Sequence, residues 1–262
     1  MAAKEHISIT LDEEVISWLD KKINGYGIKN RSHAIEKILL KSMNEECIKQ
    51  AVILCGGGKN EPLRAMTLID GKPALEHTLM YLKMQGISDI LLIVNYDYEK
   101  IISYFGKGTK YDLNIRYIIE DEPGGTAGFL KSARGMIFNT FVLMYGDVLL
   151  SVDLNDMLKV HRNSKAIATM ALTTSTDTSS YGVVKLKGEK ITEFIEKPGL
   201  NKSQSNLINA GVFIIEPQLP ELLFEEGEKI ILENIFVKLC SEGKLAGYVY
   251  DGTWTHLEKG GK

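Results

Sequence analysis

The sequence predicts an α/β fold: a large domain with a mostly parallel, mixed sheet, preceded by a small strand–helix–helix module. Three observations lead there. From residue 51 onward, short apolar runs alternate with stretches of helical period. Such alternation builds sheets covered by helices on both faces. The first apolar run, Ala51 to Leu54, ends in three glycines, Gly56, Gly57 and Gly58. The first fifty residues have another pattern, one alternating segment followed by two helical stripes.

Composition sets the class. The chain has 262 residues, 44% apolar and 25% charged, as in a soluble globular protein. No apolar run approaches the ~20 residues of a membrane span, and the N-terminus MAAKEHISITLDEE lacks the apolar core of a secretion signal. Cys47, Cys55 and Cys240 show no metal spacing and cannot all pair. Reduced thiols and a cytoplasmic location are expected. A net charge of −3 argues against a generally basic nucleic-acid binder, though not against a small DNA-reading surface.

In the N-terminal module, residues 6–11 alternate. His6, Ser8 and Thr10 point one way and Ile7, Ile9 and Leu11 the other. Asp12 suits a helix cap, and Val15, Trp18, Leu19 and Ile23 follow at helical spacing up to Asn24-Gly25-Tyr26-Gly27. A second helix is expected from Asn30-Arg31-Ser32, with Asn30 or Ser32 as cap and Ala34, Ile35, Ile38 and Leu39 as its stripe. Some forty residues with one strand cannot bury enough surface alone. Two chains that pair their strands could. Residues 5–43 resemble the ribbon-helix-helix DNA-binding family through ISITLDEEVISWLDKKI and GYGIKNRSHAIEKIL. The resemblance implies a homodimer on double-stranded DNA. His6, Ser8 and Thr10 would read base edges, and the helix start at Asn30, Arg31 and Ser32 would hold a phosphate. A module that only dimerises is the other reading.

The large domain is taken in order. The glycine turn after a buried strand exposes N–H groups suited to phosphate oxygens, although ordinary turns also use glycine. Pro73 fits a helix start, with Leu75, Leu79 and Leu82 inward and Gly86 as the stop. Strands are expected at 89–95, 114–119 and 141–145, and helices at 98–105 and 126–134. Ligands of such sheets sit beyond the carboxyl ends of the strands. Three segments fall there. Small residues around Gly125, Thr126 and Gly128 allow close approach of a base or phosphate. Asp147 follows a buried strand and suits either Mg²⁺ against phosphates or a turn cap. Lys197, after Glu196, suits a phosphate or a solvated surface, and Asn209 lies in the next apolar run.

In order, AVILCGGG, DGKPALEHTL, EPGGTAG, MYGDVLLSVDL, YGVVKLKGEKITEFIEKP, LINAGVFIIEP and DGTWTHLE resemble the sugar-phosphate nucleotidyltransferases over residues 50 to about 257. The resemblance implies a Rossmann-like domain that joins a nucleoside triphosphate to a sugar 1-phosphate with Mg²⁺. Gly56, Gly57, Gly58, Gly125, Thr126 and Gly128 would hold the nucleotide. Asp147 would hold the metal, and Glu196, Lys197 and Asn209 the sugar phosphate.

Three departures stand out. Lys59-Asn60-Glu61 replaces a GTR-like triplet, leaving Lys59 or Arg64 as substitutes, and a Pro-Lys pair is missing before Lys72. His256 stands where the family has its second metal-binding Asp. These losses favour a regulator: residues 1–44 a DNA-binding and dimerising module, 45–50 a linker, and 51–262 a weakly catalytic domain sensing a nucleotide, nucleotide-sugar or sugar phosphate. The alternative is an active Mg²⁺-dependent transferase, with Asp147, Lys59 and Arg64 as its catalytic groups and an N-terminal module that dimerises it.

Overall fold

A computed structural model describes residues 7–23, 27–45, 47–57, 59, 61–120, 125–133, 135–199, 205–219 and 231–257. The chain divides into two compact units, Met1–Cys47 and Ile48–Lys262.

The first unit holds α1 (Glu13–Asp20) and α2 (Arg31–Glu45). Asn30 caps α2, its Oδ1 accepting from the His33 N–H at 2.8 Å. Arg31 donates from Nε and Nη2 to the two carboxylate oxygens of Asp20, each at 2.7 Å, and so staples the helices together. Leu19 and Ala34 are buried.

The expected strand does not form in the single chain. Residues 7–12 are irregular, since a lone strand has no ladder to join. Ser8 and Thr10 are exposed without a ribbon to aim them, while His6 and the stop at 24–26 lie outside the described residues. At the helix start expected to hold a DNA phosphate, the side chains of Asn30 and Arg31 are engaged as cap and staple, and Ser32 is exposed. Val15 and Trp18, which lie at helical spacing with the buried Leu19, are exposed, as are Ile7, Ile9 and Leu39.

The second unit is built on a nine-stranded sheet among the described residues. Its parallel half comprises β1 (Gln50–Leu54), β4 (Asp89–Val94), β5 (Asn114–Ile119) and β6 (Phe141–Tyr145). Two short strands, β2 (Leu68–Ile69) and β3 (Lys72–Pro73), form a separate hairpin ahead of α3 (Ala74–Met84). The other half of the sheet contains β8 (Ala168–Thr174), β9 (Gly182–Lys187), β10 (Lys190–Glu196), β11 (Leu207–Ile215) and β12 (Leu245–Val249). The order is β5-β4-β1-β6-β11-β8-β12-β10-β9, with β11 antiparallel to β6 and also touching β9. A second two-stranded piece pairs β7 (Val148–Leu150) with β13 (Trp254–His256).

Both faces of the sheet are covered, which is why its strands read as continuous apolar runs. Ala51 and Ile53 of β1 pack with Leu75, Leu79 and Leu82 of α3 and with α6 (Leu154–Ser164). Val52 faces the other way, into the cluster of Phe213 and of Phe236 on α7 (Leu232–Ser241). Burying each such side chain stabilises the fold by roughly 1.5–3 kcal/mol. Helix α4 (Tyr98–Phe105) follows the sequence reading closely. Two positions differ. Pro73 is the cap of α3 rather than its first turn. Among the described residues of the expected 126–134 segment, only Phe129–Ser132, α5, is helical, because a turn at 126–128 precedes it.

Candidate active site

A cleft of about 640 Å³ opens along the carboxyl ends of β5, β4, β1 and β6 and continues across β11 towards β9 and β10. At one end is the glycine turn. Cys55 continues the β1 ladder, its N–H bonding Ile93 O at 2.8 Å, and the chain then leaves the sheet. Asn95, at the end of β4, brackets the turn: its Oδ1 accepts from the Gly57 N–H at 3.0 Å and its Nδ2 donates to Gly57 O at 3.1 Å. A Cβ on Gly56 would stand 2.9 Å from Asn95 Nδ2, so a side chain there must displace the clamping amide. Gly56 and Gly57 line the cleft, while Gly58 lies outside the described residues. Lys59 is exposed and is not on the wall.

Asp147 sits at the centre, in the turn between β6 and β7. Gly146 lets this turn fold against β1, since a Cβ there would lie 2.9 Å from both Leu54 O and Cys55 Sγ. The pairing of β13 with β7 sets His256 opposite Val148 and therefore beside Asp147. The Leu257 N–H donates to Asp147 O at 2.9 Å. His256 Nε2 lies 3.5 Å from Asp147 Oδ2, and Arg64 Nη1 donates to the same oxygen at 2.8 Å. Arg64 Nη2 also lies 3.7 Å from Glu61 Oε2. Burial works to raise the Asp147 carboxyl, but His256 and then Arg64 outweigh it and hold it below the ordinary aspartate value. The His256 ring is stacked on Trp254 and meets Tyr181 edge-on. Trp254 is itself fixed by donating Nε1–H to Ala210 O at 3.0 Å.

The far end is made of charged and polar side chains. Lys197 follows β10 in the left-handed region, φ 43°, a strained conformation of the kind concentrated at functional sites. Its N–H bonds Tyr181 O at 3.1 Å, and its Nζ is 3.5 Å from Glu196 Oε1. Burial, then Glu233, push the Glu196 carboxyl up, and Lys197 partly offsets them. Asn209 lines the cleft, but its Oδ1 already accepts from the Gly211 N–H at 2.8 Å, holding an irregularity in β11.

Thr126 and Gly125 are on the wall, and Gly128 is not. Thr126 is bound to α7: its Oγ1 accepts from the Leu232 N–H at 2.8 Å and donates to Glu233 Oε2 at 3.0 Å. Tyr145 OH donates to Glu233 Oε1 at 3.1 Å. Burial, reinforced by Glu233, pushes that phenol well up, so it stays a donor.

The structure thus brings Gly56, Gly57, Arg64, Gly125, Thr126, Asp147, Glu196, Lys197 and Asn209 to one cleft, and leaves Lys59 and Gly128 off its wall. Sequence reading missed Asn95, Tyr145, Tyr181 and Glu233. The aspartate-to-histidine change at 256 was visible, but the contact it makes was not.

Residues 51–257 match the family model described as Nucleotidyl transferase. The chain belongs to that family. This transferase-family chain is 36% identical over 211 residues to a D-glycero-α-D-manno-heptose 1-phosphate guanylyltransferase of Aneurinibacillus thermoaerophilus, covering 77% of this chain and 90% of the relative. It is 32% identical over 212 residues to a mannose-1-phosphate guanyltransferase of Yarrowia lipolytica, covering 76% of this chain and only 58% of the relative. The fold of HddC from Yersinia pseudotuberculosis matches with a TM-score of 0.67 at 24% identity, over 80% of this chain and 93% of that one.

These relatives overturn the DNA-binding regulator. Their names are those of transferases, and the family match begins at residue 51, outside the module on which DNA binding rested. The departures near Lys59 and His256 favour a weakly catalytic domain when read from sequence alone. The geometry weakens that inference, because Arg64 and His256 both converge on Asp147.

The Mg²⁺ implied by the resemblance fits only in part. Asp147 is a hard carboxylate, and one carboxylate plus substrate phosphates suffices for many Mg²⁺ sites. The imidazole beside it does not suit Mg²⁺. Among the described residues no group of three or more His, Cys, Asp or Glu is arranged to hold a metal ion. No helix among them is long and apolar enough to cross a membrane.

Proposed function

We propose that this chain is an active sugar-phosphate nucleotidyltransferase. A sugar 1-phosphate oxygen attacks the α-phosphorus of a nucleoside triphosphate, the bond from that phosphorus to the bridging oxygen breaks, and pyrophosphate leaves. The observation that carries this reading is the position of Asp147. It lies between a glycine-lined end of the cleft and a charged end where Lys197 stands beside Glu196. In this reading Gly56, Gly58 and Gly125 hold the nucleotide through backbone N–H groups, and Gly57, whose own N–H is bonded to Asn95 Oδ1, keeps the turn in shape. Arg64 spreads charge from the transferring phosphoryl group, and Lys197 pairs with the sugar phosphate, with Glu196 and Asn209 beside it. Thr126 acts through α7, which it anchors, and Lys59 and Gly128 are left out of direct contact.

Residues 1–44 serve as a self-association module, residues 45–50 as a linker and residues 51–262 as the transferase. Support for a homodimer is the exposure of Ile7, Ile9, Val15, Trp18 and Leu39 on so small a unit. Light scattering tests it: Trp18→Ser with Ile9→Ser should shift the full chain towards monomer, and a monomeric wild type would defeat it.

The activity is tested by pyrophosphate release from the full chain, with GTP, UTP, dTTP and ATP crossed against several sugar 1-phosphates and Mg²⁺ or Mn²⁺. Release that requires both substrates is expected. No release from any pair would refute the reading.

A further inference from the structure

The gap between His256 Nε2 and Asp147 Oδ2 is 3.5 Å. That is long for a charge-assisted hydrogen bond, which spans about 2.7–2.9 Å. It is close to the spacing of two ligands on one ion. Donors about 2.1 Å from a metal stand about 3.0 Å apart at a right angle and about 3.4 Å apart at the tetrahedral angle.

The main chain that carries both donors is tied together. Asp147 is fixed by the β6–β7 turn, and His256 by the pairing of β13 with β7 and the Leu257–Asp147 bond of 2.9 Å. The imidazole plane is set by its stack on Trp254, 6.3 Å between centroids and 16° between planes. Ligands so held need little reorganisation to take up an ion. The Arg64 contact at 2.8 Å also falls on Oδ2. A carboxylate has about four lone-pair sites, so it can serve a guanidinium and an ion together.

The geometry points to a carboxylate–imidazole pair, Asp147 with His256, that takes a first-row divalent transition ion in preference to Mg²⁺. Magnesium asks for oxygen ligands, whereas imidazole suits the later first-row ions and carboxylate also suits Mn²⁺. The remaining ligands are water or substrate phosphate oxygens, and in this respect the inference rests on the transferase reading. It turns the chain's clearest departure from its family's pattern into a change of metal rather than a loss of function. Along the first-row series affinity should rise from Mn²⁺ to Co²⁺.

The test is binding, measured without turnover. Chelator-treated full-length protein is titrated with Mn²⁺, alone and with inorganic pyrophosphate as a phosphate donor, and free Mn²⁺ is read by electron paramagnetic resonance. Mg²⁺ or Co²⁺ is then added as competitor. In the wild type, half-displacement of Mn²⁺ should need at least about a tenfold excess of Mg²⁺, but less than one equivalent of Co²⁺. His256→Asp should lower the required Mg²⁺ excess about tenfold, and His256→Ala should weaken Mn²⁺ binding about tenfold with the thermal midpoint little changed.

No Mn²⁺ binding in either condition would overturn the pair, as would a preference unchanged by His256→Asp. The two readings fail separately. Absent pyrophosphate release with His256-dependent ion preference sinks the transferase and leaves the pair standing. Turnover with a preference indifferent to His256 does the reverse.

Discussion

The two ends of the cleft are built from different materials. Towards β5, β4 and β1 the wall is backbone: Gly56, Gly57 and Gly125, with Asn95 clamping the turn through both its amide atoms. Towards β9, β10 and β11 it is side chains: Glu196, Lys197, Glu233 and the Tyr145 phenol, each dependent on another. A backbone wall is organised in advance and carries little net charge. A side-chain wall can discriminate, but it is sensitive to protonation and salt. Asp147 stands where the two meet.

The junction should show the largest effect. Asp147→Asn keeps the shape but removes the charge that holds Arg64 and faces His256. Pyrophosphate release should fall by about 10²–10³-fold, as when one preorganised electrostatic group is lost. Circular dichroism should be unchanged. A variant with near-normal kcat would mean that the two halves work without the group between them.

Next come the halves themselves, tested against each other. Lys197→Ala should raise KM for the sugar phosphate about tenfold and leave nucleotide affinity alone, since the lysine is a point charge on one side only. The effect should shrink in 0.5 M salt, where screening lengths are a few Å. Gly56→Ala should do the opposite, weakening the nucleotide about tenfold through the 2.9 Å clash with Asn95, with little salt dependence. Asn95→Ala in the same chain should restore part of the loss by removing the clashing atoms. If either variant changed both substrates equally, the cleft would be one coupled surface and the contrast would fail.

The same contrast explains what was legible in the sequence. The backbone half could be read because its signals are local: an apolar run, then glycines, then a helix of the right period. Leu75, Leu79 and Leu82 all proved buried, as their spacing required. Much of the side-chain half could not. Glu233 lies 107 residues from Thr126 in sequence, and only the seating of α7 brings them to 3.0 Å. His256 reaches Asp147 through a strand pairing of β13 with β7 that no local pattern announces. The N-terminal unit failed for a third reason. The alternation of residues 6–11 is a strand pattern, but a strand needs a neighbour, and within one chain residues 7–12 have none. Of its two apolar stripes, Leu19 and Ala34 are buried within the unit, whereas Val15, Trp18 and Leu39 are exposed in the single chain.

The smallest effect concerns a charge at the glycine-lined end. Glu120 follows β5 on the cleft wall, half-buried, and burial pushes its carboxyl up with no cation among the described residues to offset it. An acid whose folded value is raised favours the native state while it is protonated. That contribution is present below the ordinary glutamate range and is lost as pH rises through the raised value. Glutamine is neutral throughout, so Glu120→Gln should be more stable than wild type at pH 7–8. The gain should be under about 1 kcal/mol, since the group is partly solvated. Below the glutamate range the two proteins should melt together. Urea midpoints across this window give the answer. A gain that persists at acid pH would assign the effect to packing rather than charge, and would remove the electrostatic cost assigned to Glu120.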